Sequence, residues 1–554
     1  MNLQVLYQTD LTMPPRAPTP TMEAVADDKS TKEEKGSKAV DASKAIKVPT
    51  INTFHWELNL YSFSLLGLVY YLTPETHRVF LHVIFSIIAL DATKYYYYRG
   101  SLAGVPYTLP FVALVAMIIH PVRYWAELAN IAMLSARGMC TDILVGNFMI
   151  FVTDPKLCRE IMTTEDTYGI YAHPNALWLF GEKNLIYLSQ DGHKKFRALL
   201  TPSLFGDEAL AIYAAAQETV MRNYMKKHAD QCVATGQAFD ARVAFRAMAA
   251  ACSQESFIGP YLDDELREFL TRDIQTFTMG FLSFPFPYLN SGLHQAIKAR
   301  DRIEEAIHKI VPQAREYVQA GNEPRCLMEH WSLAIEEEAK VQGCQPQQVQ
   351  YCNDDDMART VLDFLFAAQD ATNSALAYAL DVLHAETDKM EMMRAEVDKA
   401  VGRGKSDAWI QVRDPEALSY TGKVANQLLH HRPPVPMIPH LSRKATVLGG
   451  HAIAKGTVVI PSIFYAARVT GASDEFLPER DDADSQFVKT VTFGGGQHKC
   501  PGRKYAESFL KTFLTILAAD YEFDRVGPRP SPNEFMYYPT LFPIDTMFLL
   551  TPRK

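Results

Sequence analysis

Residues Phe493 to Gly502 read FGGGQHKCPG, three consecutive glycines and two basic side chains leading to a cysteine that is followed at once by Pro501 and Gly502. Downstream, Ala506, Phe509, Leu510, Phe513, Leu514 and Leu517 recur at the spacing of one helix face. The stretch therefore predicts a helix whose N-terminal end lies at or just beyond Cys500. Unpaired N–H groups and the positive end of the helix dipole gather there, and both favour a thiolate over a thiol.

Three other readings compete at this cysteine. Gly494 and Gly496 begin a GxGxxG phosphate loop, but the third glycine falls on Lys499, so that reading fails. His498 and Cys500 begin a zinc site, but no second Cys/His pair stands nearby at ligand spacing. A buried, chemically inert cysteine stays open, because free cysteine is among the most buried residue types.

The pattern F-x-x-G-x-H-x-C-x-G resembles the haem-binding loop of the cytochromes P450, with Phe493, Gly496, His498, Cys500 and Gly502 in its fixed positions. Many members carry arginine where His498 stands. The resemblance implies that Cys500 is the axial thiolate on the iron of haem b, an arrangement that favours O–O cleavage. It also implies that Gly496 and Gly502 let backbone pass close to the porphyrin and that His498 meets a propionate.

Composition bounds the remainder. A chain of 554 residues, 48% hydrophobic and 21% charged, has the material for one large domain with appendages. A net charge of −9 makes no electrostatic case for nucleic acid, so no nucleic-acid partner is expected. The eight cysteines are scattered, unlike a secreted disulfide framework, which points to a reducing compartment.

Residues 1–50 carry Pro14, Pro15, Pro18 and Pro20 and then a Lys/Glu/Ser/Ala mixture, the composition of a disordered tail. Asp10 and these prolines interrupt any apolar signal-peptide region. From Leu58 to Leu72 and from Val79 to Leu90 the chain is strongly apolar, with Pro74, Glu75 and Arg78 between. Each run is shorter than the ~20 residues of a spanning helix, so a tilted anchor, a short hairpin, a surface-lying helix and a buried pair all fit. Tyr95 to Tyr98, followed by Arg99, read as an interfacial aromatic belt. Residues 51–98 are thus a candidate membrane anchor, and Tyr98 to Ala113 resembles the Gly/Pro-rich hinge that joins the microsomal anchor of P450s to their catalytic domain, here residues 99–554.

Phe180 to Phe205 place His193 and Arg197 four residues apart, on one face of a predicted helix. A solvated basic face is the ordinary meaning of such a pair. In P450s a Trp or His and an Arg at this spacing bind the haem propionates, and the preceding string AHPNALWLFGEKNLIYL resembles the sterol C-22 desaturases in particular. Residues 206–350 read as helices without chemistry, apart from the aromatic, proline-broken Phe281 to Leu293, which resembles the region over a P450 substrate entrance.

Val361 to Leu380, VLDFLFAAQDATNSALAYAL, predicts a long buried helix interrupted by Asp370, Thr372, Asn373 and Ser374. The plain reading has the Thr372 and Ser374 hydroxyls bonding back to preceding carbonyls. The catalytic reading makes Asp370 and Thr372 a proton relay beside the oxygen-binding face of the haem. P450s generally place Thr directly after the acid, whereas Ala371 stands there and the hydroxyl comes one later, as in the sterol C-22 desaturases. Phe364, Ala367, Val435, Met437 and Leu541 are candidate pocket residues by position.

Gly404, Lys405 and Ser406 imitate the end of a P-loop, but Lys399 stands where the earlier glycine is required. Without a Rossmann or flavin motif, electrons must come from a partner, and the resemblance implies NADPH through NADPH–cytochrome P450 reductase. The main departure lies in NQLLHHRPPVPMIPH, where Gln427 and His430 replace the Glu and Arg of the family's Glu-x-x-Arg pair; Pro478, Glu479 and Arg480, which meet that pair in other members, are retained. A neutral-plus-cation network of Gln427, His430 and Arg480 is expected in its place.

The resemblance covers about Arg99 to Lys554. It implies a mainly α P450 fold with small β-sheets, preceded by an N-terminal membrane anchor, in the endoplasmic reticulum membrane with the catalytic domain facing the cytosol. The implied activity is oxidative introduction of a C-22 double bond into a sterol side chain with O2. Hydroxylation or demethylation of another apolar substrate, and a degenerate haem- or sterol-binding protein, are the alternatives.

Overall fold

Prolines and small polar residues punctuate the chain where helices start. The computed structural model describes residues 54–553 apart from 145, 173–174, 189, 282, 402–417, 471–474, 481–490, 532–533 and 539. The tail expected over residues 1–50 and the P-loop imitation at Gly404 to Ser406 lie outside the described residues.

Helices α1 (Phe54–Leu72) and α2 (Arg78–Arg99) come first. They extend beyond the apolar runs of the sequence at both outer ends. α3 (Pro110–Ile119), α4 (Pro121–Leu134) and α5 (Pro155–Thr163) each begin on proline, which has no N–H to leave unpaired in a first turn. Asp154 caps α5 by accepting from the Leu157 N–H at 2.9 Å. α6 (Ala176–Phe180), α7 (Gln190–Phe205), α8 (Asp207–Thr235), α9 (Ala241–Phe257) and α10 (Asp264–Phe281) follow, then α11 (Gly292–His308), α12 (Val311–Gln319) and α13 (Leu327–Gln342).

The centre of the molecule is α14 (Asp354–Ala385), 32 residues long. Asn353 caps it by accepting from the Asp356 N–H at 2.8 Å, and Asp354, Asp355 and Asp356 in the first turn complement the helix dipole. α15 (Thr387–Val401), α16 (Ser419–His431), α17 (Ile463–Val469) and α18 (Arg503–Asp520) complete the helices, and α14 packs on α9, α11, α16 and α18. Trp331, Phe257, Phe277, Phe509 and Phe513, all fully buried, anchor the shared core.

Strands form the edges. One sheet runs β1-β2-β8-β5-β3, from β1 (Met139–Leu144), β2 (Asn147–Val152), β3 (Tyr168–Ile170), β5 (His440–Ser442) and β8 (Val458–Pro461); β2 and β8 are parallel, with Met149 opposite Val458. A second sheet is β4 (Phe239–Asp240), β12 (Met547–Pro552) and β9 (Tyr521–Arg525), and two hairpins pair β6 (Thr446–Leu448) with β7 (His451–Ile453) and β10 (Phe535–Tyr538) with β11 (Thr540–Pro543).

The tyrosine run departs from its expected belt. Tyr96 and Tyr97 are exposed, but Tyr95 is fully buried, and its hydroxyl donates to the Val105 carbonyl at 2.6 Å. One of the four is therefore a packing residue that ties the end of α2 to Val105 and to Thr141 of β1.

Candidate active site

The glycine loop folds because its glycines take up backbone conformations that side chains resist. Gly494 and Gly496 have φ of 77° and 59°, and a Cβ on Gly496 would run into the Glu165 carboxylate. Glu165 accepts the Gln497 N–H, and the Cys500 N–H donates to the Phe493 carbonyl at 2.8 Å, which closes the loop. α18 begins at Arg503, so Cys500 stands just ahead of a helix N-terminus as its spacing predicts.

Cys500 is exposed, whereas Cys344 is intermediate and the other six cysteines are buried. Its surroundings nonetheless desolvate it. Desolvation pushes its pKa up, and the Gly502 N–H and the Arg197 charge pull it down without prevailing. The helix terminus thus favours the thiolate as expected but does not outweigh desolvation; a positive charge at the sulfur would bring the pKa down further.

Around the loop the fold gathers cations and imidazoles. On α7, His193 is fully buried, its ring centroid 4.2 Å from that of His498, and Arg197 donates from Nη1 to the Gln497 carbonyl at 3.0 Å. The pair at four-residue spacing thus lies against the cysteine loop. Burial, with His498 and Arg197 nearby, lowers His193 to about 4, and burial also lowers His498. The Glu165 carboxylate opposes that lowering, the Arg443 and Arg197 charges add to it, and His498 in turn lowers His440. Among the described residues His193 Nδ1 has no hydrogen-bond partner. A buried, unpaired imidazole nitrogen among several cations is a site for anionic oxygens, which is what the propionates of a porphyrin present.

On α14 the polar residues divide. Asp370 is buried and pairs with Arg246 of α9, Nε to Oδ1 at 3.1 Å; burial raises the carboxyl pKa and Arg246 opposes the rise. Thr372 is buried as well. Ser374 donates across to the Leu541 carbonyl of β11, so its back-bonding to the helix is replaced by a tertiary bond. The Leu541 N–H in turn donates to the Pro434 carbonyl at 2.9 Å. α14, β11 and the segment after α16 are thereby joined, and this junction carries Leu541 and Met437, both buried, and Val435, 39% exposed. Ala367 is exposed midway along α14 between buried Leu365 and Gln369, and Phe364 is half-buried.

Gln427 and His430 are both buried on α16. Among the described residues the Gln427 amide nitrogen has no acceptor, and Arg480 lies 3.9 Å from Glu475. Phe493 joins the main core and lies 5.6 Å under the Arg503 guanidinium. Sequence reasoning did not assign roles to Arg246, Glu165, His440 or Arg443. The first two reach their partners across 124 and 332 residues, a separation that leaves no local spacing to read.

The cytochrome P450 family model matches residues 117–544. With that match over most of the chain, on this fold and around this cysteine loop, the chain belongs to the cytochrome P450 family, whose members hold haem through a cysteine. It is similar to cytochrome P450 710A4 of Arabidopsis thaliana, 27% identical over 474 residues that cover 83% of this chain and 94% of that protein. It is also similar to the C-22 sterol desaturase ERG5A of Gibberella zeae, 28% identical with 83% and 90% covered. The C-22 sterol desaturase erg5 of Aspergillus fumigatus is 25% identical, with 83% and 91% covered. The fold superposes on retinoic acid-bound cyanobacterial CYP120A1 with a TM-score of 0.67 at 19% identity, covering 82% of this chain and 99% of that one.

Proposed function

We propose that this P450 desaturates the side chain of a sterol at C-22, with Cys500 as the iron ligand. The carrying observation is the cysteine loop itself: an exposed thiol just ahead of a helix, in a loop against which His193 and Arg197 lie and which carries His498. Haem bound there supplies the activation of O2 and the removal of hydrogen from an unactivated C–H bond. Cys500 holds the iron, and His193, Arg197 and His498 hold the propionates. Asp370 and Thr372 pass protons inward, with Arg246 keeping the Asp370 carboxyl in place. Phe364, Ala367, Val435, Met437 and Leu541 offer an apolar lining that positions the side chain so that a second hydrogen leaves in place of hydroxyl transfer.

The sterol assignment is supported by the C-22 sterol desaturases among the relatives and by the string DFLFAAQDAT on α14. Electrons from NADPH arrive through cytochrome P450 reductase. The protein works at the endoplasmic reticulum membrane with its catalytic domain in the cytosol; the exposed apolar surface of α2 supports the membrane part of this reading.

The test is reconstitution of the purified protein with reductase, NADPH and sterols of saturated side chain. A product lighter by two hydrogens is expected, with one O2, two electrons and two protons consumed and two waters released. A product heavier by one oxygen would make the enzyme a hydroxylase. The loss of both Glu-x-x-Arg partners favours a second reading, a haem- or sterol-binding relative without turnover. A thiolate-type Soret band in the reduced, carbon monoxide-bound protein, together with product, excludes it.

A further inference from the structure

The first two helices meet the catalytic domain at one place and each other at the opposite end. At the start of α1, Phe54 and His55 are buried against α4 and β1. His55 Nδ1 lies 2.7 Å from Glu127 Oε2, its backbone N–H donates to the same oxygen at 3.3 Å, and its Nε2 lies 3.5 Å from Asp142 Oδ2. Arg123 stacks 4.8 Å over Phe54 and pairs with Glu57 at 3.4 Å. At the end of α2, the Tyr95 hydroxyl reaches the Thr141 carbonyl at 3.1 Å, Arg99 Nε donates to the Leu102 carbonyl at 3.0 Å, and Tyr107 donates to Asp91 at 2.9 Å. Thr141 and Asp142 are consecutive residues of β1, so the two helices are pinned side by side.

At the far end they meet again. The Tyr70 hydroxyl lies 3.1 Å from His82 Nε2, its ring stands 5.8 Å from Phe85, and Arg78 lies 5.2 Å over it. The turn between them is polar, with Glu75 and Arg78 3.6 Å apart. Between pinned base and polar tip the side chains are apolar and open, Leu60, Leu65 and Leu68 on one helix and Phe80, Val83 and Ile87 on the other. No Asp, Glu, Lys or Arg occurs from Leu58 to Leu72 or from Val79 to Leu90. Those uncharged legs are about 22 and 18 Å long at the helical rise per residue.

We propose that α1 and α2 are a helical hairpin put into lipid hydrocarbon from one face of the bilayer, so that the chain enters α1 and leaves α2 on the face that carries the catalytic domain. The occupant of the open apolar surface is lipid, because the surface surrounds both legs, lacks charge and ends on a polar turn. A single crossing by α2, with α1 left beyond the bilayer, would take His55 and Phe54 away from β1 and α4. It would leave the buried Glu127 without its imidazole and would strip one partner from Asp142.

The inference rests on the membrane reading above, and one preparation tests both. The full chain, with one epitope at Met1 and another after Lys554, is expressed and sealed microsomes are treated with protease and, separately, with alkaline carbonate. Retention in the carbonate pellet with both epitopes digested in the absence of detergent is the expected result. Protection of the Met1 epitope until detergent is added, while the other is lost, would overturn the hairpin and leave the membrane reading standing. Release by carbonate would overturn both.

Discussion

At Cys500 the influences on the sulfur oppose one another, and desolvation prevails over the Gly502 N–H and Arg197. Because the side chain is exposed, Cys500→Ser should leave the far-UV circular dichroism unchanged while abolishing the thiolate-type Soret band of the reduced carbon monoxide complex. His193→Ala should retain the fold and lose haem faster, by roughly ten- to a hundred-fold if one charge-assisted hydrogen bond of about 1.5–3 kcal/mol is removed. Transfer of haem to an acceptor globin measures this. His440 gives a pH dependence whose sign follows from its burial, which lowers it from 6.5 to about 4. The unfolded chain takes up the proton first, so the contribution is intact above pH 6.5, is lost progressively down to about 4 and is constant below. It amounts to at most about 3 kcal/mol. Urea midpoints should fall across that window, and fall less in His440→Gln. That His193 and Arg197 would lie with His498 and Cys500 was implied by the resemblance their short, fixed spacings carry, and the structure brings the four together. Glu165 and Arg443, at the loop, and Arg246, at Asp370, were not legible in the sequence, because tertiary packing alone brings them to their partners.

At the scale of the element, α14 couples a buried acid to solvent-side charge through Arg246. Asp370→Asn should cut product formation by about a hundred-fold or more while leaving substrate-induced spectral shifts in place, the separation expected of a proton donor rather than a binding group. Arg246→Gln removes the influence that opposes burial, so the Asp370 carboxyl rises further and the pH–rate profile should move toward higher pH. The helix itself was legible from its apolar period, and its polar interruptions from their place within it. The destination of Ser374 was not, since periodicity says nothing of a strand almost 170 residues away. α16 shows the converse. Its departure from the family at Gln427 and His430 was plain in the sequence, and the structure places both side chains in the interior, where a change at either is felt. Gln427→Leu should therefore lower haem retention in the purified protein, read from the ratio of Soret to protein absorbance.

For the whole molecule, a mainly α body with small edge sheets is what the motifs foretold, and the apolar runs foretold helices there, which the structure shows as α1 and α2. The return of α1 and α2 to the same strand was not legible, because it depends on His55 and Tyr95 finding Asp142 and Thr141 far along the chain. Eight sulfhydryls with such unequal exposure also make this protein its own reporter. A small maleimide offered to a freshly purified sample would meet Cys344 at the surface as a constant background, and Cys500 only in molecules whose sulfur is not already engaged. Counting the second label by mass spectrometry thus gives the unloaded fraction of any preparation, without recourse to colour.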